Sequence, residues 1–112
     1  MRGKVDLVNC AKLVTKVYHS GQCGTVCKGG YSDEFDMRDA KVACRQLGYT
    51  NTVGYWSFGR GSGKVWLWYM RCNGSESSLG NCTHNGWGNV HSACNNHTED
   101  VGVVFFYIIN SL

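Results

Sequence analysis

Seven cysteines, from Cys10 to Cys94, have the greatest capacity for chemistry in this chain of 112 residues. A thiol can bind zinc, act as a nucleophile or pair as a disulfide, and its surroundings decide which of these it does. His84, His91 and His97 lie near the last two cysteines, but their spacing does not match the paired ligands of a structural zinc site. So many cysteines in a short chain are typical of a domain held together by disulfides outside the reducing cytosol. Because the number is odd, at least one thiol lacks a partner within the chain.

The sequence carries no pattern of a catalytic site. It has no Gly-x-Ser-x-Gly elbow, which would mark the nucleophile of a serine hydrolase. Asp33, Glu34 and Asp36 form an acidic cluster, but they lie at the start of a predicted helix. Acidic side chains are favoured there because the N-terminal end of a helix dipole is positive. Cys44 falls on the apolar face of that helix, which is a poor setting for a reactive thiol. We therefore expect no enzymatic activity and no catalytic residues.

The charge pattern argues against a nucleic-acid partner, because the net charge of +3 is mild. The lysines and arginines are scattered and form no basic stripe along which phosphates could bind. The first residues lack the apolar stretch of a signal peptide. The apolar run from Val101 to Ile109 is about half as long as a bilayer requires. We expect it to be a buried final strand rather than a truncated membrane anchor, so any membrane contact would come from another part of the parent chain.

One helix is predicted from about Asp36 to Leu47. Apolar residues between Ala40 and Leu47 recur at i, i+3, i+4 and i+7 and give the helix one buried face. Asp33 or Asp36 can accept hydrogen bonds from the free N–H groups at its start, and Gly48 follows its last apolar residue. Cys44 lies on the inward face, where it either bridges to a strand or packs as a small apolar group.

Strands are predicted on both sides of this helix. Leu13–Tyr18 and Gly24–Cys27 are joined by the turn residues Ser20 and Gly21, which indicates a hairpin. The run Val65–Met70 is apolar without alternation, which favours a strand buried on both faces. The polar stretch Cys72–Cys94 reads as loops held by disulfides, with Trp87 in contact with the core. The predicted architecture is a small α+β domain, stapled by disulfides, with a curved antiparallel sheet cradling one main helix and long loops.

Short motifs along nearly the whole chain occur in the order of one known family. Any one of them is weak evidence, whereas all of them together are highly specific. They are Tyr18–Gln22, Gly24–Cys27, Asp39–Tyr49, Gly61–Leu67, Arg71–Cys72, Leu79–Cys82, Gly86–Gly88 and Glu99–Val103. On these motifs the chain resembles a scavenger receptor cysteine-rich domain over residues 5–104, with residues 105–112 as an apolar tail outside the family pattern.

The resemblance to the six-cysteine type of this family implies two disulfides, Cys27–Cys94 and Cys72–Cys82. Cysteine spacing by itself cannot choose among the many possible pairings. In the chain-entropy account, a bridge stabilises more when it closes a longer loop. The Cys27–Cys94 bridge should therefore contribute most to stability.

The third bridge of the family would join Cys44 to a cysteine at the position that Phe105 occupies here. We therefore expect Cys44 to be unpaired. Cys10 and Cys23 flank the predicted first hairpin, and on that ground we expect a bridge between them in place of the missing one.

Some members of the family hold calcium with two acids after the first framework cysteine and a later acid. Here Lys28 and Gly29 stand at the first two positions, although Glu99 and Asp100 remain. Calcium needs six to eight oxygen ligands, usually with several carboxylates, and a lysine brings a positive charge instead. We therefore expect no strong calcium site, no other metal and no cofactor.

Three Asn-x-Ser/Thr motifs, at Asn73, Asn81 and Asn96, fit the acceptor pattern for N-glycosylation. All three lie in the loop-like third of a domain that we expect to be extracellular. We expect at least one to be modified. Asn81 is the least favoured acceptor, because its neighbour Cys82 should be bridged.

The resemblance implies a non-catalytic extracellular ligand-recognition module of a scavenger-receptor-like membrane or secreted protein. Its expected ligands are proteins, polyanions or microbial surface polymers. Arg60, Lys64 and Arg71 flank the glycine-rich loop and the central strand, where acidic ligands could meet them. The alternatives are an accessory domain of an extracellular protease or amine oxidase, or a spacer that binds nothing itself.

Overall fold

The structure is a computed structural model that describes the backbone of residues 4–12, 14–29, 35–49 and 51–111. Side chains are described for residues 14–29, 35–49 and 51–104. Leu13, Asp33, Glu34 and the side chain of Cys10 lie outside these ranges. The described strands are β1 (Lys4–Lys12), β2 (Lys16–His19), β3 (Gln22–Val26), β4 (Asn51–Trp56), β5 (Lys64–Leu67) and β6 (Gly102–Ser111), and the described α-helix is α1 (Met37–Gln46). Two single turns of 3-10 helix lie at Leu79–Asn81 and Ser92–Cys94.

The strands form two three-stranded sheets rather than the single antiparallel sheet that we predicted. In the first sheet β6 is central and pairs antiparallel with β1 and β4. In the second sheet β3 is central, antiparallel to β2 and parallel to β5. The parallel pair is possible because α1 and β4 lie between β3 and β5 in the chain, and a long connection can return a strand in the same direction. The predicted α+β class with one main helix is confirmed.

The predicted hairpin is formed by β2 and β3. Ser20 and Gly21 connect the two strands, and both have positive φ, at 50° and 79°. This is the geometry of a two-residue turn whose twist matches that of the flanking strands. His19 is paired with Gln22 directly beside the turn.

The apolar run near the end of the chain is the last strand of the first sheet. The pairing of β6 with β1 extends from Lys4 opposite Ser111 to Lys12 opposite Val103. The strand therefore runs across the boundary that the family pattern draws at Val104. Within the described segments, no helix has the length and hydropathy needed to cross a bilayer.

The helix α1 has the predicted ends, with Asp36 as its N-cap and Leu47 as its C-cap. The Asp36 carboxylate accepts hydrogen bonds from the backbone N–H groups of Arg38 and Asp39. In return, Asp39 Oδ2 accepts from Asp36 N at 2.8 Å, while Asp39 Oδ1 accepts from Cys72 N at 2.8 Å. The buried Asp39 therefore ties the start of the helix to the loop that begins at Cys72. Burial raises the pKa of the Asp39 carboxyl to about 6.

The inward face of α1 packs on a core to which both sheets contribute. Cys44 is fully buried in this core as a free thiol, and burial raises its pKa. It packs as a small apolar group, one of the two roles that the helix pattern allowed. Trp87 packs against the same core from the loop region, as predicted. The other buried members are Val17, Val26, Phe35, Ala40, Val42, Ala43, Leu67, Met70, Cys72, Leu79, Cys82, Val101 and Val103.

The strand predicted over Val65–Met70 ends at Leu67 and is not buried on both faces. Val65 and Leu67 are buried, whereas Trp66 between them is only half-buried. The strand lies at the edge of its sheet, where β3 is its neighbour. Beyond it, Tyr69 has a φ of 60°, a left-handed conformation that breaks the extended backbone of a strand. The apolar run Val65–Met70 therefore contains a short edge strand, which ends at Leu67, and a turn at Tyr69.

The structure contains both disulfides that the resemblance implies. Cys27–Cys94 joins positions 67 residues apart, and Cys72–Cys82 joins positions 10 residues apart. Cys27 directly follows β3, where its N–H donates to Leu67 O at 2.9 Å. The longer bridge therefore fastens the loops before β6 to the second sheet.

The expected Cys10–Cys23 bridge is not formed, because Cys23 is a free and exposed thiol. Cys23 lies in β3, opposite Tyr18, in the second sheet. The backbone of Cys10 lies in β1, opposite Phe105, in the first sheet. We expected this bridge because both cysteines flank the first hairpin. The strands that carry them, however, belong to different sheets.

We predict that loss of the Cys27–Cys94 bridge destabilises the oxidised domain more than loss of Cys72–Cys82. Chain-entropy arithmetic for the two loop lengths gives a difference of about 2 kcal/mol in the free energy of unfolding. The measurement is chemical denaturation of the double variants Cys27→Ala/Cys94→Ala and Cys72→Ala/Cys82→Ala. Equal losses in the two variants would contradict the chain-entropy account.

A second prediction concerns the stability contributed by Asp39 between pH 4 and 7. Its pKa of about 6 lies above the ordinary value of 3.8. The folded state therefore holds the proton more tightly, and this contribution is present below pH 4 and is lost as the pH rises through 6. The unfolding free energy of the wild type, measured relative to Asp39→Asn, should fall by up to about 3 kcal/mol over this range. A difference that stays constant with pH would show that folding does not raise the pKa of this carboxyl.

Candidate functional site

The histidines near the last cysteines are engaged in local hydrogen bonds. His84 Nδ1 accepts from Gly86 N at 3.0 Å, and His91 Nδ1 accepts from Ala93 N at 3.0 Å. These contacts shape two turns and do not bring the rings together as ligands. Among the described residues, the grouping closest to a metal site is Cys72, Glu76 and Cys82, but its two sulfurs are joined in a disulfide.

The Asp100 carboxylate anchors the glycine-rich loop. Its Oδ2 atom lies 2.7 Å from His97 Nδ1 and accepts from Gly61 N at 2.8 Å. The other nitrogen of His97 lies 3.0 Å from Gly63 O, so the histidine holds a second point of the same loop. A side chain at Gly61 would bring its Cβ within 2.7 Å of Thr25 and 2.9 Å of Asp100, which explains the glycine. Asp100 is fully buried, and its contacts through Oδ2 fix the position of this loop.

Lys28 lies where the resemblance would place a calcium ligand. Its Nζ atom is 3.3 Å from Glu99 Oε1 and donates to Gly29 O at 3.0 Å. The same ammonium group lies 5.0 Å from the centre of the Trp56 ring. The Lys28 ammonium therefore already neutralises the Glu99 carboxylate, and Asp100 is directed toward the glycine-rich loop. These residues do not fit a calcium ion, which needs several free carboxylate ligands.

Lys64 lies beside a cluster of aromatic rings at the hairpin turn. His19 stacks on Trp87 with ring centres 3.9 Å apart, and both rings meet Trp66 edge to face. The Lys64 ammonium lies 5.0 Å from the centre of the Trp66 ring. Contacts of this kind hold a lysine near an aromatic face and leave its charge toward solvent.

A second aromatic cluster, Trp68 with Tyr69 and His91, follows β5 and was not predicted. The ring centres of Trp68 lie 5.5 Å from Tyr69 and 5.7 Å from His91. The Arg71 guanidinium lies 4.2 Å from the centre of the Tyr69 ring, and its Nη1 donates to Tyr69 O at 3.2 Å. The sequence signal was the aromatic run Trp66–Tyr69 followed closely by an arginine, which we took for the end of a buried strand.

Arg71 also lines a cleft at the start of α1, together with Arg38. Arg38 Nη2 and Nε donate to Asp36 Oδ2 at 2.7 and 3.2 Å. The hydrogen bonds from Arg38 lower the pKa of the Asp36 carboxyl, so this acid is ionised at neutral pH. The remaining lining residues include Asn73.

The three cations singled out from the sequence occupy separate places. Arg60 is exposed in the glycine-rich loop. Lys64 is the first residue of β5, and Arg71 lies beyond the end of that strand. Arg38 also lines the cleft that Arg71 lines. It lies two residues after the cap residue Asp36 and 33 residues before Arg71, so no local pattern predicted that the two arginines line one cleft.

The three glycosylation motifs differ in their geometry. Asn73 Oδ1 accepts from the Ser75 hydroxyl at 2.7 Å, and Asn96 Oδ1 accepts from the Thr98 hydroxyl at 2.7 Å. At Asn81 the amide nitrogen donates instead to Ser77 Oγ at 3.1 Å. All three asparagines are exposed.

We predict that calcium does not stabilise this domain, because the Lys28 ammonium takes the place of the ion. Millimolar calcium should shift the melting temperature of the wild type by less than about 1 °C, as expected without binding to the folded state. The variant Lys28→Asp should lose about 1 kcal/mol from repulsion with Glu99, and calcium should restore part of it. Lys28→Gln is the control, since it removes the ion pair without adding a carboxylate. A calcium-dependent rise in the wild-type melting temperature would contradict this assignment.

Comparisons with curated proteins match this chain to parts of much longer relatives. It is 44% identical over 92 residues to lysyl oxidase homolog 2 of Gallus gallus. It is 47% identical over 93 residues to lysyl oxidase homolog 4 of Homo sapiens. Both alignments cover 80% of this chain, but the chain spans only 11% of the length of these relatives.

Solved structures of single domains resemble the fold closely. The SRCR domain of mouse MARCO, in its dimeric form, matches with a TM-score of 0.70 and 36% identity, covering 94% of this chain and 91% of that one. The third SRCR domain of murine neurotrypsin matches with a TM-score of 0.60 and 33% identity, covering 80% of each chain. The sequence model of the scavenger receptor cysteine-rich domain matches residues 8–104. The chain therefore belongs to the scavenger receptor cysteine-rich domain family.

Proposed function

We propose that this domain is a non-catalytic recognition module of an extracellular protein. The observation that carries the proposal is the ordered loop surface between β5 and β6. Two disulfides hold this surface, and Arg45 adds two more ties by donating to Glu76 O at 2.6 Å and Gly74 O at 2.8 Å. Loops on a fixed scaffold are the usual place for binding residues, and pre-ordering lowers the entropic cost of binding.

Two features support an extracellular location. Disulfides persist in oxidising compartments, and the domain has two of them. The exposed Asn-x-Ser/Thr motifs agree with passage through the secretory pathway. The parent chain would be secreted, or held on the outer face of the cell membrane by another of its segments.

Proteins, polyanions and microbial surface polymers are the proposed ligand classes. Arg60, Lys64 and Arg71 are exposed cations that lie before, in and after β5, and the chain has a net charge of +3. Exposed Tyr69 adds an amphipathic side chain of the kind that is enriched in binding interfaces. This combination suits ligands that carry negative charge and some apolar surface.

An accessory domain of an extracellular enzyme is the second candidate. It is favoured by the identity of 44% and 47% to proteins named lysyl oxidase homolog, against 33% and 36% for the two solved domains. In that arrangement another part of an amine-oxidase-type parent chain would carry the catalytic site. The domain would recognise a partner or surface for that enzyme.

We further propose that Asn73 and Asn96 carry N-linked glycans and that Asn81 does not. In the motifs of Asn73 and Asn96, the hydroxyl of the Ser or Thr donates to the side-chain oxygen of the asparagine. Asn81, by contrast, adjoins a cysteine that is in a disulfide. Peptide mapping of protein from a eukaryotic host, after enzymatic release of glycans, should find two converted asparagines. A glycan on Asn81, or the absence of one from Asn73 or Asn96, would contradict this assignment.

Binding to immobilised polyanion tests the recognition function. The oxidised domain should bind a dextran sulfate surface and not an uncharged dextran surface. Because Coulomb attraction is screened by ions, binding should weaken as the salt concentration rises toward about 0.5 M. Failure to bind either surface would remove polyanions from the ligand classes and favour a spacer.

A further inference from the structure

We infer that Arg38 and Arg71 form an anion-binding cleft that accepts a sulfate group of an acidic polysaccharide. The inference rests on the proposed function, since it gives the same recognition module a site and a ligand class. The cleft has a volume of about 400 Å³ and is lined by Asp36, Arg38, Met70, Arg71, Cys72 and Asn73. A cleft of this size suits a small group such as one sugar unit.

Arg71 is held in place before any ligand arrives. Its guanidinium lies against the Tyr69 ring, 4.2 Å from the ring centre, and one of its amino groups donates to Tyr69 O. A guanidinium has five N–H donors in a rigid plane. Most of the donors of Arg71 are therefore left for a ligand, and little conformational freedom remains to be lost when it binds.

Arg38 is held from the other side by Asp36. Two of its nitrogens donate to the same carboxylate oxygen, Asp36 Oδ2. Its Nη1 group is the part of the guanidinium not used by this pair. The helix cap therefore positions Arg38 as well as starting α1.

The charge of the cleft selects a monoanion. Two guanidinium groups and the ionised Asp36 carboxylate leave one net positive charge among the lining residues. A sulfate ester carries a single negative charge, whereas a phosphate monoester carries nearly two at neutral pH. A sulfate also has three free oxygens with which to accept hydrogen bonds from both guanidinium groups.

The apolar surface of the cleft favours a sugar over an acidic peptide. Met70 and Cys72 line the cleft but are almost fully buried, so its accessible apolar surface comes mainly from the Tyr69 ring beside them, which is 41% exposed. A sugar ring carries C–H groups next to its polar substituents, so it can contact this surface while its sulfate reaches the arginines. A flexible acidic side chain offers less apolar contact and loses more rotamer freedom on binding.

The backbone at Tyr69 supports a functional interpretation. Its φ of 60° is uncommon for a residue with a bulky side chain, and such strain collects at sites that need a particular geometry. Here the conformation places both the ring and the carbonyl oxygen of Tyr69 in contact with Arg71. Tyr69 is thus a positioning residue for the guanidinium.

The test is calorimetric titration of the full chain with a sulfated disaccharide derived from heparin. All proteins carry Ser75→Ala, which removes the glycan acceptor beside the cleft and keeps Asn73. Arg38→Gln and Arg71→Gln should each weaken binding about tenfold, as expected for a lost charge-assisted contact. Lys16→Gln and Lys41→Gln, which remove the same charge from exposed positions outside the cleft, should change the affinity less than about twofold.

Two substitutions at Tyr69 separate positioning from folding. Tyr69→Phe keeps the ring and should leave the affinity unchanged. Tyr69→Asn keeps the left-handed backbone, which asparagine tolerates, but removes the ring. It should weaken disaccharide binding at least about threefold, the order of a cation–π contact, without lowering the melting temperature.

Each alternative result overturns the inference in a distinguishable way. If Lys16→Gln and Arg71→Gln lose affinity equally, binding is general polyelectrolyte attraction and the cleft is not the site. If an oligoglutamate of matched charge binds with the same dependence on Arg38 and Arg71, the ligand class is wrong. If the wild type binds immobilised dextran sulfate but not the disaccharide, the proposed recognition function stands and the assigned cleft does not.

Discussion

The disulfide between Cys27 and Cys94 is the constraint on which the remaining structure depends. Cys27 lies where the end of β3 meets two other segments. Its N–H donates to Leu67 O in β5, while Lys28 N donates to Glu99 O and Val101 N donates to Val26 O in the stretch before β6. The bridge adds a covalent tie from this junction to the loop before β6. Without that tie, the polar stretch from residue 68 to 100 would have few apolar side chains with which to offset the entropy of its ordering.

Buried polar side chains, like the disulfides, fix the positions of the loops. Asp39 and Asp100 are both almost fully buried, and each accepts hydrogen bonds from segments distant in the chain. Asp39 joins the start of α1 to Cys72, while Asp100 joins the end of the loop region to Gly61. Buried carboxylates are costly unless they are paired or hydrogen-bonded, so these contacts specify where each loop lies.

A lysine in place of a metal ligand changes what this domain can respond to. Lys28 supplies a permanent positive charge to Glu99, where a divalent ion would otherwise need several carboxylates. We therefore predict that the geometry of that surface does not depend on calcium. The binding role is proposed instead for the region after β5, where Trp68, Tyr69 and Arg71 form a cluster that pre-orders a cation.

Local patterns in the sequence determined the helix, its caps, the hairpin turn and, through the family motifs, the two disulfides. Each of these depends on residues close together or on motifs read in order, such as Asp36 at the cap and Ser20-Gly21 in the turn. The tertiary structure alone decided that the strands form two sheets, that β5 runs parallel to β3, and that Cys23 stays free. It alone also brought Arg38 to Arg71, 33 residues further along the chain. These outcomes depend on which distant segments meet, and burial and long-range hydrogen bonding, rather than spacing along the chain, select those contacts.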